Sequence, residues 1–210
     1  MTAAVCAQAL TDGAAALVVE RPLGLDAPEV LVSSARAAMG PLAARFYGEP
    51  STSLRVVGVT GTNGKTTTAH LACALLEATG ERCGLLGTVE SRVGGERRAA
   101  IRTTPEAIDL QADFRAMLDG GQHSCAMEVS SHALELGRVD CVRFAAAIFT
   151  NLTQDHLDFH ETMEDYFQAK RRLFVPPIAQ AKPGVAIVNL DDLYGRRLAA
   201  ELDNTVTFAL

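Results

Sequence analysis

The stretch from Val56 to Thr68 constrains the fold more than any other part of the chain. A run rich in β-branched residues gives way to glycines at Gly61 and Gly64, and Lys65 and a helix-forming segment follow. Glycines let the backbone turn sharply, so that successive N–H groups face one position, where the N-terminus of the next helix adds positive potential. The pattern therefore predicts a strand, a phosphate-binding loop and a helix.

The residues after the glycines suit a nucleotide and its cation. Lys65 can reach the terminal phosphates, and the hydroxyl of Thr66 is placed to ligate a Mg²⁺ shared with the nucleotide. The match to G-x-x-x-x-G-K-[ST] is imperfect, because Val59 stands where that pattern has its first glycine. The alternative interpretation is a glycine turn that binds no ligand.

Composition narrows the class of protein. The 210 residues suffice for one good-sized domain, or for one domain and part of another. A net charge of −6, with no basic face rich in aromatic residues, argues against a nucleic-acid partner. With no apolar run of membrane-spanning length and no signal-peptide pattern, we expect a cytosolic protein without a membrane partner. The five cysteines lack a C-x-x-C pair and are expected to be buried, reduced thiols.

Strand and helix patterns alternate along most of the chain. Strands are predicted at 15–20, 29–33, 56–60, 83–87, 124–129, 145–149, 185–190 and 205–209, with a hairpin of 88–93 and 97–101. Helices are predicted at 35–46, after Gly64, from Pro105 to about 118, at 163–174 and at 192–202. We expect Thr104 to be the N-cap of the helix that begins at Pro105. This alternation predicts an α/β fold, a mostly parallel sheet with helices on both faces, preceded by a partial N-terminal α/β segment.

Polar residues follow two of the predicted strands. Glu128 ends one strand, and His156 lies in the segment after the other. Ligands of parallel sheets bind at the carboxyl ends of strands, so both side chains are expected near the phosphates, where they could hold a divalent cation. Glu128 could instead be a helix cap or an ion-pair partner. His160 could form a zinc pair with His156, but a third ligand is missing, and a solvated loop histidine is the expected state of His160.

Lys170 lies on or near the apolar stripe of its predicted helix, four residues after Tyr166 and three after Phe167. Such a lysine most often extends its amine from the edge of a core. A half-buried lysine beside a cation site would instead have a lowered pKa and an uncharged, reactive amine. Spacing alone leaves both interpretations open.

Five motifs in order resemble those of the Mur ligases, a family of peptidoglycan synthesis. They are Gly-Thr-Asn-Gly-Lys-Thr-Thr at 61–67, Thr-Thr-Pro at 103–105, Glu-Val-Ser-Ser-His at 128–132, Phe-Thr-Asn-Leu at 149–152 with Asp-His-Leu-Asp at 155–158, and the helix from Tyr166 to Lys170. The resemblance runs from about residue 14 to the end. It implies the central domain of a ligase that uses ATP to add a third amino acid to UDP-N-acetylmuramoyl-L-Ala-D-Glu.

The resemblance also implies the chemistry and its residues. ATP would convert the D-Glu side carboxylate to an acyl phosphate, which the amino group of a diamino acid attacks; meso-diaminopimelate is favoured over L-lysine as the commoner family substrate. ATP would contact Gly61, Thr62, Asn63, Gly64, Lys65, Thr66 and Thr67. Mg²⁺ would be held by Thr66, Glu128, His156 and a Lys170 carbamylated by CO₂, and the catalytic set would be Lys65, Glu128, His156 and Lys170. The muramyl dipeptide would contact Thr103, Thr104, Ser130 and Arg138.

Two other functions compete with this one. One is another amide ligase of the same superfamily, such as a cyanophycin synthetase or a folylpolyglutamate synthase, although the latter typically has Gly-Lys-Gly-Ser where this chain has Gly-Lys-Thr-Thr at 64–67. The other is a nucleotide-binding module that switches without chemistry. Leu136 stands where members of the Mur family often carry glutamine.

The family's uridine-binding start and its C-terminal domain have no counterpart in the sequence. We therefore expect residues 1–50 to be the remnant of the uridine-nucleotide domain and residues 51–210 to be an incomplete central domain. The expected outcome is that the 210-residue chain does not complete ligation. Multiple-turnover synthesis of the UDP-muramyl tripeptide by this chain, followed by chromatography, would contradict the expectation.

Overall fold

The computed structural model describes residues 3–155, 159–177 and 181–209. Within these ranges most of the chain forms an α/β fold, as predicted. The strands are β1 Leu17–Val19, β2 Glu29–Leu31, β3 Arg55–Thr60, β4 Cys83–Leu86, β5 Glu90–Val93, β6 Glu96–Ala99, β7 Ser124–Glu128, β8 Phe144–Phe149, β9 Val185–Asn189 and β10 Thr205–Phe208. The helices are α1 Ala3–Thr11, α2 Ala35–Phe46, α3 Lys65–Ala78, α4 Ala107–Asp119, α5 Ser131–Glu135, α6 Met163–Arg171 and α7 Leu193–Ala199, with a short 3₁₀ turn at Pro50–Thr52.

The large sheet has eight strands among the described residues, in the order β10-β9-β8-β3-β7-β4-β5-β6. Pairing is parallel from β10 to β4 and antiparallel for β4 with β5 and β5 with β6. β3 lies between β7 and β8, so the segment that follows β3 is flanked by the segments that follow its two neighbours. Their carboxyl ends meet at one edge of the sheet.

Helices cover both faces of this sheet, because its central strands are apolar on both sides. On one face Phe114 and Met117 of α4 pack with Phe144 and Phe149 of β8 in a core that also includes residues of α5, α6 and α7. On the other face α3 packs Ala69 and Cys73 against Val59, Cys83, Leu85 and Ala126.

The N-terminal residues form a smaller unit. β1 and β2 pair in parallel as a separate two-stranded sheet, and Cys6 of α1 packs against Leu17 and Val19. α2 runs from the N-cap Ser34 and lies against α4. The division of the chain at residue 50 into a domain remnant and a central domain stays a prediction.

Three details differ from the sequence-based expectations. α4 begins at Ala107 after the N-cap Glu106 rather than at Pro105. The hydroxyl oxygen of Thr104 accepts from the Ser130 N–H at 3.1 Å and its hydrogen is donated to the Glu128 carbonyl at 2.9 Å, so Thr104 is bonded to the end of β7 and does not cap the helix. The helix expected to reach 174 ends at Arg171. The hairpin strands are also shorter than expected, and β5 begins only at Glu90.

α5 was not predicted at all, since its five residues are too few for a periodic pattern. Its N-cap is Ser130, whose hydroxyl accepts a hydrogen bond from the Ala133 N–H.

The five cysteines carry no disulfide among them, and four are buried as expected. Cys141 is only partly buried, so the expectation of a buried thiol is wrong there. None of the helices in the described ranges is both long and apolar enough to cross a bilayer.

The core on the α4 face can be tested with one large side chain. We expect Phe114→Ala to lower the free energy of unfolding by about 3–5 kcal/mol, because the deletion leaves a cavity around a residue with no exposed surface. Phe46→Ala is the control, since Phe46 is 82% exposed and its loss should cost less than about 0.5 kcal/mol. Urea unfolding followed by circular dichroism measures both, and similar losses in the two variants would contradict the assigned core.

Candidate active site

The loop between β3 and α3 has the shape that its glycines predicted. Gly61 has a φ of +150° and Gly64, the N-cap of α3, has a φ of +84°. A Cβ atom at Gly61 would overlap the hydroxyl oxygen of Thr150, so a side chain is excluded there both by conformation and by space. Gly64 precedes the first turn of α3, whose N–H groups have no partner within the helix and can donate to an anion.

The segment that follows β8 holds this loop. The Asn63 N–H donates to Asn151 Oδ1 at 2.9 Å, and Asn151 Nδ2 donates back to the Asn63 carbonyl at 3.1 Å. The Thr150 hydroxyl donates to the same carbonyl at 2.7 Å, while the Thr62 hydroxyl and the Thr153 N–H form a further hydrogen bond of 3.0 Å. These hydrogen bonds fix the loop to the segment that follows β8.

Lys65 folds back over the loop. Its Nζ donates to the carbonyl oxygens of Gly61 at 3.0 Å and Thr62 at 2.8 Å. Burial lowers the pKa of Lys65, and the nearby carboxylates of Glu128 and Asp155 oppose that effect. An arriving phosphate would offer this ammonium group a charged acceptor in place of two carbonyls.

Glu128, at the end of β7, is almost completely buried. Its carboxylate accepts hydrogen bonds from the Thr66 hydroxyl at 3.0 Å and from the Thr88 N–H at 2.7 Å. It makes none of the ion pairs found among the described residues and caps no helix, so the two alternatives considered for it do not apply. The Glu128 carboxylate and the Thr66 hydroxyl thus lie side by side next to the loop, where their oxygen atoms could ligate a cation.

Lys170 of α6 contacts the loop between β3 and α3. It is 1% exposed, and its Nζ donates to the Gly61 carbonyl at 2.8 Å and lies 4.4 Å from the centre of the Tyr166 ring. Burial, with a further contribution from the charge of Lys65, lowers the pKa of Lys170 to about 7. The interpretation of an amine that extends to water is therefore wrong, because Lys170 is buried more completely than the half-buried lysine of the alternative. The cation site beside it and the reactivity of its amine stay predictions.

The two histidines of the following segment differ. His156, the predicted cation ligand, lies outside the described residues. His160 was expected to be a solvated loop histidine, and that expectation is wrong: it is buried, its Nε2 lies 2.9 Å from the Ser131 hydroxyl oxygen, and its ring packs 5.0 Å from that of Tyr166. Packing between α5 and α6 thus encloses a side chain whose sequence neighbourhood is polar.

The residues expected to contact a muramyl dipeptide lie beside the loop. A cleft of about 490 Å³ is lined by Thr62, Asn63, Gly64, Lys65, Thr66, Thr88, Thr103, Thr104, Glu128, Ser130, Ser131, His132, Arg138 and Lys170. Arg138 donates to the Thr104 carbonyl at 3.3 Å and pairs with Glu106 at 2.9 Å, while its buried Nε has no hydrogen-bond partner. The structure therefore brings together, in one cleft, nearly all of the predicted site residues that it describes.

The amino-acid sequence is similar to those of known proteins. The family model described as "Mur ligase middle domain" matches residues 59–210. The chain belongs to the Mur ligase family. It is 52% identical over 195 residues to the UDP-N-acetylmuramoyl-L-alanyl-D-glutamate--2,6-diaminopimelate ligase of Streptomyces coelicolor, a match that covers 93% of this chain and 37% of that protein. The ligase of the same name from Geobacillus kaustophilus is 50% identical over 188 residues, covering 88% of this chain and 38% of that one.

Solved structures agree with the family assignment. A structure of UDP-N-acetylmuramoyl-L-alanyl-D-glutamate--2,6-diaminopimelate ligase superposes with a TM-score of 0.83 at 29% identity, over 100% of this chain and 43% of that one. MurF ligase from Thermotoga maritima in complex with ADP shares the fold, with a TM-score of 0.62 at 23% identity over 98% of this chain and 44% of that one. This chain spans less than two fifths of the length of the ligases from Streptomyces coelicolor and Geobacillus kaustophilus.

The site of this Mur ligase chain fits a nucleotide and a magnesium ion. The glycine loop supplies backbone donors, and Lys65 supplies the ammonium group that a polyphosphate requires. Thr66 and Glu128 supply oxygen ligands, which Mg²⁺ prefers. No cluster of three histidine, cysteine, aspartate or glutamate residues that could hold a metal occurs in the described ranges.

Sequence reasoning missed several residues that build the site. Thr150 and Asn151 were identified only as part of a motif, yet they hold the phosphate loop. Thr88 was assigned to a strand, although it follows β4 at the same sheet edge as Glu128. The rule that strand ends carry function would have found Thr88 if the end of β4 had been read in the same way as the ends of β7 and β8.

The buried amine of Lys170 makes stability depend on pH. Its pKa of about 7 in the folded protein lies below the ordinary 10.5, so between these values the unfolded chain holds a proton that the folded protein lacks, and stability rises with pH. Relative to Lys170→Met, the wild type should gain about 2 kcal/mol in free energy of unfolding between pH 7.5 and pH 9, at about 1.4 kcal/mol per pH step. Urea unfolding at both pH values measures this, and a difference between the two proteins that does not change with pH would contradict the assignment.

Proposed function

We propose that this chain is the ATP-binding centre of a ligase that adds a diamino acid, meso-diaminopimelate, to UDP-N-acetylmuramoyl-L-Ala-D-Glu. The observation that carries the proposal is the convergence of the phosphate loop, the Glu128 and Thr66 pair and the buried Lys170 beside the cleft of Thr103 and Arg138. Relatives named as ligases of these substrates, at about 50% identity over about 90% of the chain, support the choice of substrate.

The proposed chemistry has two steps. An oxygen of the D-Glu side carboxylate attacks the γ-phosphorus of ATP, so that ADP leaves and an acyl phosphate forms. The amino group of the diamino acid then attacks the acyl carbon, phosphate leaves, and the nitrogen loses a proton to give the amide. Both steps place negative charge on phosphoryl oxygens, and the loop N–H groups and Lys65 are fixed where they can stabilise it.

A magnesium ion, when bound, would neutralise part of the phosphate charge. Thr66 and Glu128 are the described residues that would hold it, and we propose that His156 contributes as well. Thr66 would offer an oxygen lone pair to the ion, and its hydrogen can stay on Glu128.

Lys170 is proposed to act in carbamylated form. With a pKa of about 7, about half of the Lys170 amine is uncharged at pH 7, and this form can attack CO₂. The product replaces a buried cation next to Lys65 with a carboxylate, which removes the repulsion between the two ammonium groups and provides another oxygen ligand for magnesium. We also propose that the enzyme works in the cytoplasm, which the free cysteines and the use of ATP support.

One of the competing functions belongs to ligases of the same fold. Folylpolyglutamate synthases have this fold, as a Mycobacterium tuberculosis structure complexed with ADP shows with a TM-score of 0.62 at 16% identity over 82% of this chain and 46% of that one. A substrate panel separates the two on a full-length protein that carries this chain. We expect ATP-dependent phosphate release with the UDP-muramyl dipeptide and diaminopimelate, and none with a folate and glutamate; the reverse result would overturn the proposal.

Lys170 distinguishes a ligase from a module that binds nucleotide without chemistry. In the full-length protein Lys170→Ala should lower kcat by at least about 100-fold, because a cation ligand is lost. Short carboxylates such as acetate or propionate should restore part of the activity by occupying the vacated space. Lys182→Ala is the control, since Lys182 is an exposed lysine. Full activity of Lys170→Ala, measured by coupled ADP release, would favour the non-catalytic module.

A further inference from the structure

Thr88 has no role in the proposed function so far, yet it lies at the centre of the site. It follows β4 on the sheet edge that also carries Glu128, and it lines the cleft. Its side chain is exposed, whereas the carboxylate it contacts is almost completely buried. A side chain that contacts a buried carboxylate and also lines an open cleft can couple the position of the carboxylate to what binds in the cleft.

Two hydrogen bonds join Thr88 to Glu128. The Thr88 N–H donates to Oε1 at 2.7 Å, and the Thr88 hydroxyl donates to Oε2 at 3.1 Å. One residue thus engages both oxygens of the carboxylate and fixes its rotation as well as its position. The preceding residue, Gly87, approaches so closely that a Cβ there would lie 2.5 Å from Glu128 Oε1. The end of β4 is therefore shaped around this carboxylate.

The contact continues to the predicted substrate turn. The hydroxyl oxygens of Thr88 and Thr103 are 3.1 Å apart. An ionised carboxylate can only accept, so the Thr88 proton is directed to Glu128 and the Thr103 hydroxyl must donate to Thr88. The result is a directed chain from Thr103 through Thr88 to Glu128. It connects the residue expected to touch the muramyl substrate with the residue expected to hold the cation.

Thr88 provides most of the hydrogen bonds that hold the Glu128 side chain. The Glu128 carboxylate accepts three hydrogen bonds, two of them from Thr88 and one from the Thr66 hydroxyl. The Thr66 hydroxyl can face a cation with an oxygen lone pair while its hydrogen stays on Glu128. Thr66 reaches only Oε1, whereas Thr88 engages both carboxylate oxygens and so fixes the orientation of the carboxylate.

We infer that Thr88 is a positioning residue for the cation site, which holds Glu128 through its hydroxyl and couples it to Thr103. The inference rests on the proposed function, because it requires that Glu128 and Thr66 bind a divalent cation together with a nucleotide. Outer partners of metal ligands typically contribute 10–100-fold in metal affinity. The bond is partly exposed to water, so we expect the lower end of that range.

The test uses two variants of Thr88, one without the hydroxyl group and one with it; their polar atoms are otherwise the same. Thr88→Val keeps the β-branched shape and the backbone donor but removes the hydroxyl, and Thr88→Ser keeps the hydroxyl. For each variant of the 210-residue chain, Mn²⁺ binding is measured by electron paramagnetic resonance at a saturating concentration of the ATP analogue AMP-PCP. Binding of AMP-PCP in EDTA, measured by calorimetry, reports separately on the phosphate loop.

We expect Thr88→Val to weaken Mn²⁺ binding about 10-fold and Thr88→Ser to stay within about twofold of the wild type. Binding of AMP-PCP in EDTA should be unchanged in both, which also shows that the loop is folded. Thr103→Val should weaken Mn²⁺ binding less than Thr88→Val, since it leaves the bonds between Thr88 and Glu128 intact.

The outcomes distinguish this inference from the function on which it rests. Unchanged Mn²⁺ binding in Thr88→Val, or equal losses in the valine and serine variants, would overturn the role of the hydroxyl while leaving the nucleotide site in place. A wild-type chain that binds AMP-PCP but no Mn²⁺ would overturn the cation site, and the inference with it. A wild-type chain that binds neither would overturn the proposed function itself.

Discussion

The site depends on the position of β3 between β7 and β8. Parallel neighbours end at the same edge of the sheet, so the phosphate loop, Glu128 and the segment that begins at Thr150 lie close together. Backbone and side-chain hydrogen bonds from residues 150–153 then fix the conformation of the loop. A nucleotide would find its donors already oriented, and the cost of ordering them would have been met during folding.

The same geometry concentrates charged side chains around the loop, two of which, Glu128 and Lys170, are buried. Lys65 and Lys170 both donate to the Gly61 carbonyl, and Glu128 lies close by. Two ammonium groups on one carbonyl are an unfavourable arrangement, and burial adds to it. The protein relieves this by lowering the pKa of Lys170, so that one of the two groups is readily neutral. A strained electrostatic state of this kind is typical of functional sites and stabilises the protein poorly by itself.

Two acceptors at the sheet edge, the Gly61 carbonyl and the Glu128 carboxylate, each receive hydrogen bonds from the side chains of two residues. Gly61 is bonded by two lysines, and Glu128 by Thr66 and Thr88. Each pair combines one residue of the nucleotide loop or its helix with one residue from a different element. A ligand that displaces the loop partner leaves the other in place, which allows phosphate and cation to bind without disordering the acids and amines that surround them.

The sequence by itself determined the phosphate loop, the alternation of strands and helices, and the membership of Glu128 in a strand end. These are encoded locally, because glycine conformation and side-chain periodicity act over a few residues. Only the tertiary structure decided that Lys170 is buried beneath Gly61, that His160 is enclosed between two helices, and that Thr104 bonds a neighbouring strand instead of capping α4. Such outcomes depend on which elements pack together, and a buried amine and an exposed one have the same spacing along a helix.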